Sequence, residues 1–296
     1  MSNNPPPVVV GIDGSETSVS AALWAGAVAD KLGAPLHLVH SAAAPHSFIA
    51  DGAVIAIEAA AIDDRRAAGE KILTIAEQAV HKDHAHLQIT TETVTEAADV
   101  ALIKRSQTAQ LIVLGCEDVS RTAALLLGST SLTVTTRASC PVVAWRGIPE
   151  PDGRPVVVGV DGTDAGNSAL AEAFAYADRF GAPVKAVHAW SANAGYDPAI
   201  IPYLIDWEAV ESAERSALVA AVSPWVQRYP EVPIEYCLEE AKPSRALLHH
   251  LDDAQLVVVG NHRGSAAAAA ILGSTSLNLL HHSPVPVLVC QAAEAS

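Results

Sequence analysis

Two aspartates each end an apolar, β-branched run and precede a glycine. Asp13 lies in Val10-Gly11-Ile12-Asp13-Gly14-Ser15 and Asp161 in Val158-Gly159-Val160-Asp161-Gly162-Thr163. A carboxylate so placed either closes an Asp-Gly turn or accepts hydrogen bonds from a hydroxyl-bearing ligand. Gly11 and Gly159 lack side chains that would hold a ligand away from the strand. Further on, Gly115 is followed thirteen residues later by Gly128-Ser129-Thr130, and Gly260 by Gly273-Ser274-Thr275 at the same spacing. A glycine and two hydroxyl residues at a helix start present backbone amides and hydroxyls that suit phosphate oxygens. In the second half the intervening stretch opens Gly260-Asn261-His262-Arg263-Gly264. The Arg263 guanidinium is suited to pair with phosphate and Gly264 adds backbone freedom.

Other chemistries find less support. No G-x-x-x-x-G-K-[ST] run is present and no G-x-G-x-x-G follows the first strand, so neither a Walker loop nor a dinucleotide fingerprint is indicated. No G-x-S-x-G elbow accompanies the many serines. No general base with an orienting partner recurs in both halves, so a dedicated catalytic site is not expected. His81, His84 and His86 with Asp83 read as a solvated helix end. The adjacent pairs His249-His250 and His281-His282 are expected to point apart, because neighbouring helical side chains do not share a face. Their place near helix C-termini suits the dipole. His40 and His188 follow the second strand in both halves and read as structural or pocket-lining. No metal site is expected. Cys116, Cys140, Cys237 and Cys290 form no C-x-x-C pair and read as small core residues of a reducing, cytoplasmic compartment.

The elements that must position these residues occur twice. Pro7–Ser15 recurs as Pro155–Thr163, Gly33-Ala34-Pro35 as Gly181-Ala182-Pro183, and Ala109–Gly115 as Ala254–Gly260. Leu127–Leu132 recurs as Leu272–Leu277. The chain is therefore a tandem duplication of a domain of about 140 residues. The expected boundaries are 1–147 and 155–296, with the Pro/Gly-rich segment 148–154 as linker. In the first copy, strands are expected at Val8–Asp13, Leu36–His40, Leu87–Val94, Leu111–Gly115 and Pro141–Trp145. Helices are expected from the Ser15 cap to Leu32, over Ala53–Val80, Glu96–Gln107 and Ser129–Ala138. Strands alternating with helices imply an α/β fold with a parallel sheet in each copy, doubly wound, and a ligand site beyond the carboxyl ends of the strands at the switch point. Pro141–Trp145 and Pro286–Val289 read as apolar edge strands that invite pairing.

Length and composition bound the rest. The 296 residues suit two domains at about 100–200 residues each. Half the residues are hydrophobic, 17% are charged, and mean hydropathy is +0.25, enough for two cores and against extended disorder. A formal net charge of −15 argues against nucleic acid as partner. The N-terminus lacks the pattern of a secretory signal, and apolar runs break before the ~18 residues of a membrane span, so no membrane role is expected.

The motifs Val10–Ser15 and Val158–Thr163, the strand-four glycines, and the terminal Cys140-Pro141-Val142-Val143-Ala144-Trp145 and Val285–Cys290 strands resemble the universal stress protein family in its tandem two-domain form. The resemblance spans nearly the whole chain. It implies five strands in the order 3-2-1-4-5 in each copy, an adenine-nucleotide α-hydrolase-like fold. It also implies a site for ATP, with or without Mg²⁺, and slow hydrolysis as an accompaniment to binding. The adenosine contacts it implies are Asp13 with Ser41, and Asp161 with Ala189. The family's phosphate motif is a glycine, two residues, a glycine, nine residues, then Gly-Ser or Gly-Thr. Gly115, Gly128 and Ser129 match its ends in the first copy, as Gly260, Gly273 and Ser274 do in the second. The middle glycine is replaced by Asp118, after Glu117, in the first copy and by Arg263 in the second. A carboxylate about 5 Å from a phosphate, at an effective dielectric of about 20, costs about 3 kcal/mol before screening. The second copy is therefore expected to bind the better. The resemblance also implies packing of the copies about a pseudo-two-fold axis and homodimers of the chain. The alternative is a dimeric interaction scaffold whose altered glycine motifs no longer hold nucleotide.

Overall fold

In the computed structural model the described residues are 5–43, 54–116, 128–147, 150–191, 206–261 and 272–292, with side chains of helix residues 54–62 outside the description. The chain divides into two compact units, Met1–Pro151 and Asp152–Ser296.

The first unit runs β1 Val8–Gly11, α1 Glu16–Leu32, β2 Leu36–Ser41, α2 Val54–Asp83, β3 Ile89–Val94, α3 Ala98–Arg105, β4 Leu111–Gly115, α4 Ser129–Arg137 and β5 Val142–Trp145. Its strands lie in the order β3-β2-β1-β4-β5, all parallel. The chain winds outward from β1 to β2 and β3, then returns to the other side of β1 with β4. Val8, Val9, Val10, Leu36, Leu38, Ile112 and Val113 are almost fully buried, as a sheet covered on both faces requires.

The second unit repeats the plan. It runs β6 Val156–Gly159, α5 Asp164–Phe180, β7 Val184–Trp190, α6 Trp207–Arg228, β8 Ile234–Glu240, α7 Pro243–His249, β9 Leu256–Asn261, α8 Ser274–His282 and β10 Val287–Gln291. Its parallel order is β10-β9-β6-β7-β8. Phe174 and Leu170 of α5 are buried under this sheet.

Local sequence explains the helix ends. The Ser15 hydroxyl accepts the Ser18 N–H at 3.0 Å, and Thr163 accepts that of Gly166 at 3.1 Å. Gly33 and Gly181 stop α1 and α5 in the left-handed region, at φ 62° and 63°. The first strand is shorter than its apolar run: Ile12 follows β1, and the chain then turns through Gly14 at φ 89°. Helix α3 is shorter at both ends than the periodicity suggests, while α2 runs on to Asp83. No helix among the described residues is long and apolar enough to cross a membrane.

Candidate functional site

The return of the chain across β1 opens a hollow at the carboxyl ends of β1 and β4, of about 130 Å³. Gly11, Asp13, Ser41, Gly115 and Thr130 line it. A second hollow, of about 120 Å³, lies at the same place in the second unit and is lined by Gly159, Asp161, Ala189, Gly260 and Thr275. Ten of the residues singled out by the sequence thus fall into two matching groups of five.

The aspartates hold the turn and face the hollow together. Asp13 Oδ1 accepts the Ser15 N–H at 2.9 Å. Asp161 Oδ1 accepts the Thr163 N–H at 3.0 Å and the Thr163 hydroxyl at 2.6 Å. Partial burial pushes the Asp13 carboxyl up, but hydrogen bonds from Ser15 and Ser18 outweigh it and hold the group below the usual carboxylate range. His40 and His188 brace these turns from behind. Their Nδ1–H groups donate to the carbonyls of Ile12 at 2.8 Å and Val160 at 2.7 Å, the residues just before the aspartates. His188 Nε2 also meets Glu214 at 2.9 Å. Their role is to position the turn; neither is among the residues lining the hollows.

The helix starts carry the donors. Gly128 and Gly273 are the N-caps of α4 and α8, in extended backbone, and neither helix has a side-chain cap. The first-turn amides of Ser129, Thr130, Ser274 and Thr275 are therefore not taken by a capping side chain. Thr130 and Thr275 reach the hollows; Gly128, Ser129, Gly273 and Ser274 stand at the helix starts beside them. A Cβ on Gly273 would meet nothing within 4 Å.

Gly115 and Gly260 have a different reason for being glycine from the one their motif suggests. Neither has a positive φ. A Cβ on Gly115 would stand 2.9 Å from the Thr17 backbone, and one on Gly260 would run into the backbone of Ala165. They are small because α1 and α5 cross them. Asn261 is also placed otherwise than expected: it is 1% exposed and its amide donates to the Gln291 side chain at 3.3 Å. Its register partner on β10 is Gln291, and the two side chains meet in the interior. His262, Arg263 and Gly264, like Glu117 and Asp118, lie outside the described residues.

The sequence reading missed the apolar walls. Val39, Leu102 and Leu114 line the first hollow, and Val187, Leu247 and Val259 the second. Strand register brings some of them there, since Gly11 sits opposite both Val39 and Leu114. No periodicity in a single strand reveals that neighbour.

The structure adds to one expectation about the histidines and overturns another. His84 Nδ1 and His86 Nε2 engage Asp30 of α1, at 3.2 and 2.8 Å, so this helix end, with the His86 side chain exposed, is also tied to α1. His249 Nδ1 and His250 Nε2 converge on one oxygen of Glu239, at 3.3 and 3.0 Å. They do not point apart because α7 ends at His249 and His250 leaves helical geometry, at φ −99° and ψ 11°.

The model of the universal stress protein family matches residues 6–146 and again 153–291. Universal stress protein Rv2005c of Mycobacterium tuberculosis is 34% identical over 294 residues, covering 96% of each chain. Universal stress protein Rv2623 of the same organism is 32% identical over 293 residues, again covering 96% of each. A crystal structure of a universal stress protein from Archaeoglobus fulgidus has the same fold, with a TM-score of 0.72 at 19% identity over 98% of both chains. With two family matches in one chain and relatives similar over its whole length, the protein belongs to the universal stress protein family and is a tandem, two-domain member of it.

Proposed function

We propose that this stress-response protein binds an adenine nucleotide, ATP with or without Mg²⁺, at the switch-point hollow of each domain. Binding serves to change conformation or partner affinity rather than to feed a catalytic cycle. The observation that carries this reading is a pairing that occurs twice in one chain: an aspartate at the end of the first strand lies across a hollow from a helix start that no side chain caps.

The parts divide the ligand between them. Asp161 and Ala189, with Asp13 and Ser41 in the other domain, suit the adenosine, and the apolar walls suit a ring. The amides and hydroxyls from Gly273 to Thr275, and from Gly128 to Thr130, suit the phosphates. Each hollow is smaller than the roughly 300–1,000 Å³ of a pocket that encloses a whole ligand. It suits one ring system, with the phosphates at the helix start outside. A bound nucleotide supplies negative charge and a transferable phosphoryl group. The carboxylate nearest it already spends an oxygen on the turn, which favours holding over turnover.

The second domain, 155–296, is the tighter site in this reading. Arg263 attracts phosphate where Glu117 and Asp118 repel it, and one such repulsion of about 3 kcal/mol is about a hundredfold in affinity. Calorimetric titration with ATP tests the proposal. Asp161→Ala removes a hydrogen bond to a charged group, worth about 1.5–3 kcal/mol, and is expected to weaken binding about tenfold or more. Gly273→Ala is expected to weaken binding with the fold intact, because its Cβ would meet no protein atom within 4 Å. Asp13→Ala is expected to change the measured affinity least. Wild-type affinity in both second-domain variants removes this pocket from consideration. No binding at all favours the nucleotide-free scaffold, the reading that Asp118 supports.

A further inference from the structure

The end of α7 carries a cluster that the nucleotide reading does not use. His249 Nδ1 lies 3.3 Å and His250 Nε2 3.0 Å from the same oxygen of Glu239 on β8. These three residues are the set among the described residues whose donor atoms gather closely enough to share one ion. Zinc–ligand bonds of about 2.0–2.1 Å in tetrahedral geometry put neighbouring donor atoms about 3.3 Å apart. The two nitrogen–oxygen spacings match edges of a coordination tetrahedron, and the three donor atoms all lie within 4.8 Å of one another.

We propose that Glu239, His249 and His250 bind a divalent transition-metal ion of the zinc class. Two imidazoles and one carboxylate suit zinc, copper, nickel or iron, whereas calcium and magnesium prefer all-oxygen sets. The site has both anchors and an entry. The Glu239 and His250 side chains are 28% and 17% exposed, and the His249 side chain is 73% exposed. The His250 backbone is held by its N–H bond to the Leu247 carbonyl at 3.0 Å, which sets the turn that brings the two rings together. Three protein ligands leave a coordination position for water or an outside group. The net charge of −15 draws cations toward the molecule. The same helix, through Pro243 and Leu247, walls the second hollow. The metal proposal stands independently of the nucleotide.

The plain competitor is a hydrogen-bonded trio in which both imidazoles donate to one carboxylate oxygen. The full chain, stripped with a chelator, is titrated with Zn²⁺ by calorimetry and with Co²⁺ by visible absorption. Saturable Zn²⁺ binding and the intense d–d absorption of four-coordinate Co²⁺ are expected. His249→Ala and Glu239→Gln are each expected to lower Zn²⁺ affinity at least tenfold, with unchanged circular dichroism and ATP titration. His281→Ala, in the other adjacent pair, is expected to leave the affinity at the wild-type value. No saturable binding in the wild type, a loss in only one of the two site variants, or an equal loss in His281→Ala overturns the proposal.

Discussion

Gly115 of β4 and Thr17 of α1 approach so closely that a Cβ on the glycine would lie 2.9 Å from the threonine backbone. Gly260 and Ala165 stand in the same relation in the second unit. The strand-four glycine therefore answers first to helix–sheet packing. Gly260→Ala is expected to destabilise the second unit by about 1–3 kcal/mol, the usual range for overpacking, with or without ligand. Gly273→Ala is expected to leave stability within about 0.5 kcal/mol, as for a surface change. Urea unfolding of the two variants separates the roles.

The acid stability of the first unit depends in part on Glu92. Arg105 hydrogen-bonds its carboxylate, with an N–O distance of 2.6 Å, and His37 adds a contact at 3.0 Å. Against the opposing effect of burial, these hold the carboxyl below its ordinary value of 4.5. A carboxyl lowered in the folded state stabilises fully above its unfolded value, and that contribution is lost as pH falls through the folded value. The pair is partly exposed, so its effect is expected to stay below about 1 kcal/mol. Glu92→Gln is expected to flatten the stability curve below about pH 4.5, read from urea midpoints as a function of pH.

The four cysteines are expected to be inert in the folded protein. None is joined in a disulfide and all are buried. Burial pushes the Cys116 thiol up, and burial with the carboxylate of Glu235 pushes Cys237 up to about 11. The thiolate is the reactive form, so both factors oppose reaction. A thiol-counting reagent is expected to find little fast reaction in the native protein and four thiols in denaturant. Fast reaction of any thiol in the folded chain contradicts the burial.

Phe174 is the large side chain that organises the second core. It is fully buried on α5, and its ring stacks with Tyr229 at a centroid distance of 6.1 Å. Phe174→Ala is expected to cost about 3–5 kcal/mol, the range for an aromatic truncated in a packed core. Thermal unfolding followed by calorimetry checks this, with Val219→Ala at an exposed helix position as the control.

Much of this protein is legible residue by residue. The duplication, the β-branched strands, the Ser15 and Thr163 caps and the Gly33 and Gly181 stops are local signals, each decided by a few neighbouring residues. They were enough for the parallel α/β plan, and the family resemblance supplied the strand order. Asp13 and Asp161 could be assigned to turns from the Asp-Gly pairs alone. That the same carboxylates face a hollow depends on β4 and β9 returning beside the first strand of each unit, a contact across about a hundred residues of chain.

The repeated strand–helix pattern and the glycine-marked helix starts are written in short stretches of chain, because capping, periodicity and backbone freedom act over a few residues. Folding is what brings Val39 and Leu114 beside Gly11, turns Asn261 inward, gathers His84 and His86 on Asp30, and gathers His249 and His250 on Glu239. Each of those depends on register between strands or on where a helix ends against its neighbour. Such contacts are set by the packing of the whole core and leave no periodic trace along the chain.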